Sequence, residues 1–155
     1  MLGDSQVMRH YPAPLTREES LGWIERQRAR YARDGHGLWL VLERETGRPV
    51  GQVGLALQTL DDWPSSPVHE IGYLLHRAHW GRGFATEAAS AVRDYAFHEH
   101  DQREVVSLIR AANEPSRAVA RRIGMDILGE TTHAGLPHLV YGVAREQMPG
   151  ARSHG

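Results

Sequence analysis

The clearest pattern of apolar positions lies in the middle of the chain. An almost continuous apolar run over residues 71–75 predicts a strand that is buried on both faces. Two glycines, Gly81 and Gly83, follow it, and a helix is then predicted to begin near Phe84. Apolar residues recur along this helix with a period of about 3.6 residues, which places them on one face. They are Phe84, Ala88, Val92, Tyr95 and Ala96.

A second helix is predicted before this unit. Thr16 and Glu19 have the spacing of a capping box, and Gly35 suits the position just after the helix, which is expected to end near Asp34. We expect its apolar residues Leu21, Ile24 and Tyr31 to face inward. Its arginines are most simply a solvated face, and a contact from one of them to a ligand is the less favoured alternative. These arginines are Arg26, Arg28, Arg30 and Arg33.

Strands are predicted on both sides of the central unit. Gly51 and Gly54 interrupt one of them, which indicates a bulge or a close approach of two backbones. Asn113 and Gly124 suit the two ends of a short helix after the fourth strand. The predicted strands cover residues 38–43, 50–60, 71–75, 104–111, 127–131 and 139–143, of which the first two form a hairpin.

Composition limits the class of protein. A chain of 155 residues with 41% hydrophobic residues suits one domain, which we expect over residues 1–148 with a loose tail over 149–155. It has no cysteine, which excludes disulfides, thiolate metal sites and cysteine nucleophiles.

The net charge of −1 favours neither nucleic acid nor membrane as a partner. Without an apolar segment of membrane-spanning length or a signal-peptide pattern, a cytoplasmic location is expected. The histidine-rich residues 98–101 are interpreted as a solvated helix end rather than a metal site.

The glycine turn, residues 80–85, has two interpretations. Glycine lets a backbone approach a phosphate closely, and the first N–H groups of a helix attract anions, so the turn suits a pyrophosphate. A simple tight turn between strand and helix fits these residues equally well. A dinucleotide fingerprint would need a third small residue where Thr86 stands, and a Walker loop would need a lysine, which the chain lacks.

The central motif carries a family resemblance. Gly72-Tyr-Leu-Leu, followed by Trp80-Gly-Arg-Gly-Phe-Ala-Thr-Glu-Ala, resembles the acetyl-CoA signature of the GNAT acetyltransferases, in the branch typified by the ribosomal-protein N-terminal acetyltransferases. Asn113-Glu-Pro-Ser resembles the second motif of that family, although Met125 replaces its usual phenylalanine. The resemblance extends over about residues 7–145.

The resemblance implies an α/β (α+β) GNAT acyl-CoA N-acyltransferase fold, with a mixed, mostly antiparallel sheet flanked by helices. Family members usually have a strand and a helix before the segment that matches Val7, and only six residues precede it here. Either the chain starts late or it lacks that first strand. A missing strand would leave an exposed sheet edge, so a homodimer is expected.

The resemblance also implies a function and its residues. Acetyl would pass from acetyl-CoA to a primary amine by direct attack, without a metal; the acceptor, a protein N-terminus or a small amine, stays open. A non-catalytic acyl-CoA-binding or regulatory domain is the alternative.

Trp63 would line the acceptor site or cap the sheet. Glu70 would be the base, or else a surface carboxylate, and Ser116 would assist the thiolate, since Ala120 occupies the place of the usual tyrosine. The implied cofactor contacts are the backbone of Tyr73, Leu74, Leu75, Gly81, Arg82, Gly83, Phe84 and Ala85, together with Asn113.

Overall fold

A computed structural model describes residues 1–148, and the expected tail, residues 149–155, lies outside the described residues. The first 16 residues form turns and irregular backbone, and helices and strands follow. The helices are α1 (Arg17–Asp34), α2 (Phe84–His98) and α3 (Glu114–Arg122). The strands are β1 (Leu38–Leu42), β2 (Pro49–Gln58), β3 (Val68–Leu75), β4 (Glu104–Ile109), β5 (Asp126–His133) and β6 (Leu136–Ala144).

The six strands form one sheet in the order β1-β2-β3-β4-β6-β5. The neighbours pair antiparallel, except β3 and β4, which run parallel because α2 connects them. The predicted mixed, mostly antiparallel sheet is therefore confirmed. The predicted central unit of strand, glycine turn and helix corresponds to β3 and α2.

The sheet has two differently packed faces because successive side chains of a strand point to opposite sides. Ile71, Val105 and Ile109 belong to the main core, where α2 and α3 cover the first face. Val68 and Val106 belong to a smaller core on the second face. Residues of β3 and β4 can thus be assigned to a face by their position relative to these core residues.

Of the three apolar residues of α1 predicted to face inward, only Tyr31 does so: it is half-buried, and its hydroxyl donates to the carbonyl of Leu38 in β1. Leu21 and Ile24 are 57% and 49% exposed, so their predicted inward position is incorrect. The helix instead contacts the sheet through polar atoms. The Trp23 indole N–H donates to Gln52 Oε1 at 3.2 Å, and Gln27 Oε1 accepts from a strand backbone N–H at 3.2 Å. The apolar pattern misled because this helix borders a cleft rather than a hydrophobic core.

The local signals at the helix ends and within β2 are confirmed. Thr16 and Glu19 form the capping box of α1, and Gly35 ends that helix in the left-handed conformation at φ 75°. Gly51 and Gly54 mark close backbone contacts. A β-carbon at Gly54 would overlap the carbonyl of Gly37 in the neighbouring chain segment.

The end of α2 is partly as predicted. His98 is exposed there, as a solvated helix end requires. His100, in contrast, packs against buried His36, with ring centroids 5.0 Å apart, and shares a hydrogen bond of 2.7 Å with the hydroxyl of Tyr95. Within residues 1–148 no cluster of three or more histidine, aspartate or glutamate side chains is placed to hold a metal ion. No helix in the same part of the chain is long and apolar enough to cross a membrane.

Strand β1 lies at one edge of the sheet, and its Leu40 and Leu42 are 66% and 51% exposed. An open edge with apolar side chains favours pairing with another chain. We therefore expect the protein to dimerise through β1. Leu40→Lys should shift it towards the monomer, because the charge of the lysine would be buried in the contact between the two chains. Light scattering measures both masses. Ile127→Lys, on the opposite edge strand β5, is the matched control and should leave the dimer intact. A wild-type monomer at high concentration would contradict the expectation.

Candidate active site

The site begins where β3 and β4 separate. Their parallel pairing has one register pair, Glu70 with Val106. Beyond it the strands diverge towards their carboxyl ends and open into a cleft of about 1260 Å³, which residues 6–15, α1, β2 and α3 also line. Residues 71–75 of β3 and residues 107–110 after the pairing point line this cleft. One edge of β3 therefore faces the cleft rather than another strand.

Ser107 fixes the point of separation. Its buried hydroxyl donates to the carbonyl of Ile71 at 2.8 Å, one residue beyond the Glu70–Val106 pair. A side chain thus supplies a link between the strands where backbone pairing ends. The sequence did not predict this role, because a single serine in an apolar strand carries no local signal for a partner on another strand.

The N-terminus of α2 opens into the same cleft. Gly81 and Gly83 have positive φ values of 70° and 84°, a conformation that side chains with a β-carbon rarely adopt. No side chain caps α2, whereas Thr16 caps α1 and Asn113 caps α3. Within the described residues, the first N–H groups of α2 are left facing the cleft without a protein acceptor. This is the geometry in which a helix end binds an anion.

Seven of the eight residues implied for cofactor contact in β3 and the glycine turn line the cleft. Arg82 is the exception. Its guanidinium pairs with Glu43 at 2.6 Å and lies 4.9 Å from the ring centroid of Phe84, so its side chain is engaged outside the cleft. The seven are Tyr73, Leu74, Leu75, Gly81, Gly83, Phe84 and Ala85.

Glu70 lies partly buried in the cleft at the pairing point. Burial raises the pKa of its carboxyl group above the ordinary glutamate value, because the ionised form loses solvation. The hydrogen bond from Gln58 Nε2 to Glu70 Oε2, at 2.6 Å, opposes that rise, as do the charges of His133 and Arg30. The carboxylate is therefore held in a fixed position and is more basic than an exposed one.

Helix α3 forms the wall of the cleft opposite β3. Asn113 Oδ1 accepts from the backbone N–H of Ser116 at 3.3 Å, and the carbonyl of Ser116 accepts from the Tyr73 hydroxyl at 2.7 Å. Tyr73 thus joins the two walls. Burial, with a smaller effect of Glu70, raises the pKa of Tyr73, so its hydroxyl stays protonated. Ala120 is fully buried in the main core and does not reach the cleft.

Trp63 is not among the residues that line the cleft. It packs on the smaller core and lies so close to the backbone of β5 that a β-carbon at Gly129 would be 3.1 Å from its ring. Of its two interpretations, the sheet-capping one agrees with this position. Tyr11, which the sequence did not single out, does line the cleft; it is 39% exposed, and partial loss of solvation, with a smaller effect of Glu70, raises the pKa of its hydroxyl.

Comparison with known proteins identifies the family. Residues 1–126 match the model described as "Acetyltransferase (GNAT) domain". The uncharacterized protein YkkB of Bacillus subtilis is 34% identical over 125 residues, which are 81% of this chain and 71% of that protein. The chain therefore belongs to the GNAT acetyltransferase family.

Solved structures agree on the fold. An acetyltransferase from Agrobacterium tumefaciens str. C58 has a TM-score of 0.77 at 32% identity, over 93% of this chain and 81% of that one. A putative ribosomal-protein-serine acetyltransferase from Vibrio cholerae has a TM-score of 0.68 at 21% identity. The match covers 84% of this chain and 76% of that one. The aminoglycoside acetyltransferase AAC(6')-Ib, solved with ribostamycin and coenzyme A, has a TM-score of 0.76 at 17% identity. The match covers 99% of this chain and 89% of that one. The last two likenesses concern the fold alone.

The Ser107 link leads to a prediction about stability. Ser107→Ala removes the donor and leaves the Ile71 carbonyl without its partner, which costs about 1–3 kcal/mol for a buried acceptor. We expect the free energy of unfolding, measured by urea titration, to fall by that amount. Ser65→Ala, in an exposed loop, should change it by less than about 0.5 kcal/mol. Equal stabilities of the two variants would show that the hydroxyl does not hold the strands together.

Proposed function

We propose that this protein transfers acetyl from acetyl-CoA to a primary amine, and that residues 1–148 form the single domain that does so. The observation that carries the proposal is the cleft itself. It combines an open strand edge, an uncapped helix N-terminus and a basic carboxylate at the point where the strands part. Membership of the GNAT family and the coenzyme A complex of AAC(6')-Ib support the same conclusion.

The residues fit acetyl-CoA in two places. The open edge of Tyr73, Leu74 and Leu75 offers backbone groups to the amides of a pantetheine arm, and Asn113 lines the opposite wall. The backbone N–H groups after Gly83 suit the pyrophosphate, because they lie at the positive end of α2. When bound, acetyl-CoA supplies an activated thioester carbonyl. A molecule in this position runs along β3 from the glycine turn towards Glu70.

Glu70 is the proposed base. A protonated amine has no free electron pair, so a proton must leave before or during attack on the carbonyl carbon. Glu70 takes that proton, directly or through a water molecule, as the new C–N bond forms and the C–S bond breaks. Its raised pKa makes it a better proton acceptor, and the hydrogen bond from Gln58 holds it in place.

Two hydroxyls are placed to assist the departing thiolate. Ser116 lines the cleft at the start of α3, and its hydroxyl has no recorded partner within residues 1–148. Tyr73 reaches the same helix turn from the opposite wall and keeps its proton. We assign to Ser116 the hydrogen bond to the sulfur, which keeps the serine proton on its own oxygen while the thiolate leaves and takes its proton from solvent. Tyr73 holds the first turn of α3 against β3.

A release assay tests the function directly. Acetyl-CoA is incubated with the protein and a panel of amines, and free thiol is measured. Thiol release that depends on the amine, together with acetylated product, is the expected result. Binding of CoA without release for any amine would support a non-catalytic acyl-CoA-binding domain instead.

The phosphate position has its own test. CoA should raise the melting temperature of the wild type in proportion to the logarithm of its concentration above the dissociation constant. Gly83→Asp adds a negative charge where the phosphates are proposed and should abolish the shift. Gly83→Asn has a similar shape and tolerance of positive φ but no charge, so it should keep part of the shift. Equal shifts in wild type and Gly83→Asp would place the phosphates elsewhere.

The base is tested with Glu70→Gln, which keeps the shape but cannot accept the proton. The rate should fall by about 10²–10⁴-fold, the usual contribution of general-base catalysis. The wild-type rate should decline at low pH at a value above the ordinary glutamate pKa, because protonation of Glu70 removes the base. In the variant the optimum should move upward, where free amine accumulates. Glu104→Gln, an exposed glutamate at the start of β4, is the control. An unchanged rate and pH profile in Glu70→Gln would make this residue structural.

The thiolate assignment is tested with Ser116→Ala at saturating acceptor. This variant should lower kcat with little change in KM for acetyl-CoA, because the hydrogen bond strengthens as charge develops on sulfur. Tyr73→Phe loses a hydrogen bond between the cleft walls, so it should affect KM for acetyl-CoA as well. A silent Ser116→Ala together with a loss confined to kcat in Tyr73→Phe would transfer the role to Tyr73.

A further inference from the structure

The arginines of the cleft differ from those elsewhere on α1 and α3. On the outer surfaces, Arg28 pairs with Glu25 at 3.2 Å, and Arg121 pairs with Glu114. Within residues 1–148, none of the arginines that line the cleft forms an ion pair with a carboxylate, although Glu70 lies among them. These arginines are Arg9, Arg26, Arg30, Arg110 and Arg122.

Arg110 directly follows β4 and lines the cleft together with Glu70. Glu70 is two residues after Val68 in β3, so both lie on the second face of the sheet. Val106 and Leu108 of β4 pack with Val68 on that face, and position 110 continues their alternation just past the end of the strand. Burial lowers the pKa of His138, and the charge of Arg110 adds a smaller effect in the same direction. His138 is two residues before Val140 in β6 and so lies on the second face with it.

Arg30 reaches the same region from α1. Burial raises the pKa of Glu70, and Arg30, like His133 at the end of β5, partly offsets that rise because a positive charge favours the carboxylate. Arg30 itself is partly buried, and its guanidinium has one hydrogen bond within residues 1–148, a long one of 3.5 Å to Gln27 Oε1. Arg30 and Arg110 therefore line the same cleft as Glu70, and neither is paired with a carboxylate of the described residues.

The part of the cleft wall formed by α1 and β2 also has a hydrogen-bond donor without an acceptor. Gln52 lines the cleft, and its Oε1 accepts from Trp23. Its Nε2 is buried and has no partner within the described residues. Gln27 Oε1 already accepts from the backbone of Leu38, so the polar face of α1 and β2 offers mainly donors. A buried donor without an acceptor is costly, which favours a ligand that carries acceptor oxygens here.

From this arrangement we propose that the acceptor is a primary amine that also carries an anionic group, a carboxylate, phosphonate or phosphate, bound by Arg110 and Arg30 while the amine faces Glu70. The proposal rests on the acetyl transfer proposed above. Arginine suits such groups because its N–H fork matches their oxygens. The same arginines repel a second ammonium, so polycationic amines such as polyamines and aminoglycosides should be poor acceptors. They also favour the neutral form of the incoming amine.

The test compares acceptors in matched pairs. Amino acids of different chain length are each paired with the corresponding amide, and rates are corrected for the fraction of free amine. Aminoalkylphosphonates, spermidine and peptides with an acidic or a neutral second residue complete the panel. We expect kcat/KM to be at least about tenfold higher for the anionic member of the best pair. Preference for acidic peptides over all free amino acids would identify a protein N-terminus as the source of the anion.

Variants identify the binding groups. Arg110→Gln should raise KM for the anionic acceptor about 10–100-fold, the loss expected for one charge-assisted hydrogen-bond pair, and should leave KM for acetyl-CoA and for the amide little changed. Arg30→Gln should act in the same direction. Arg28→Gln, on the outer side of α1, is the control and should change neither constant.

Two results would overturn the acceptor proposal and leave the proposed acetyl transfer standing. One is a higher kcat/KM for the amides or for spermidine than for the anionic amines. The other is an effect of Arg110→Gln on KM for acetyl-CoA rather than for the acceptor, which would assign this arginine to the cofactor. Absence of thiol release with every amine would instead refute the acetyl transfer, and the acceptor proposal with it.

Discussion

The separation of β3 and β4 is the constraint on which the site depends. Two parallel strands that stayed paired over their full length would close the sheet and leave no space for a ligand. Here pairing ends after Glu70, and the Ser107 hydroxyl takes over the carbonyl of Ile71 at that point. The divergence exposes one edge of β3, brings the N-terminus of α2 to the mouth of the cleft and leaves Glu70 at its inner end.

A polar lining follows from this opening. The residues around a cleft meet solvent or ligand, so they need not be apolar even where a helix faces a sheet. Helix α1 shows the effect, because Trp23 and Gln27 contact the sheet through hydrogen bonds while Leu21 and Ile24 are exposed. The remaining stability comes from the main core on the other face, where α2 and α3 cover the strands.

The sequence predicted what local chemistry determines. Capping residues, positive-φ glycines and apolar periodicity act within a few residues, so the central unit, the helix ends and the strands could be placed. Contacts between distant segments could not. Ser107 and Ile71 are 36 residues apart, and Tyr73 and Ser116 are 43 apart, and neither pair has a signal in its neighbourhood. The predicted inward positions of Leu21 and Ile24 in α1 failed for the same reason, since the cleft that this helix borders is formed by other elements.

Residues from both faces of the sheet line the cleft: α2 and α3 cover one face, and Glu70 lies two positions after Val68, which packs on the other. The two ligands of the proposed reaction would therefore enter from different sides and meet in the gap between the strands. In that arrangement neither would block the entrance of the other, so both could be bound at once, and the acetyl group would not need to be stored on the protein. Such an architecture corresponds to a ternary complex, with initial-rate lines that intersect rather than run parallel.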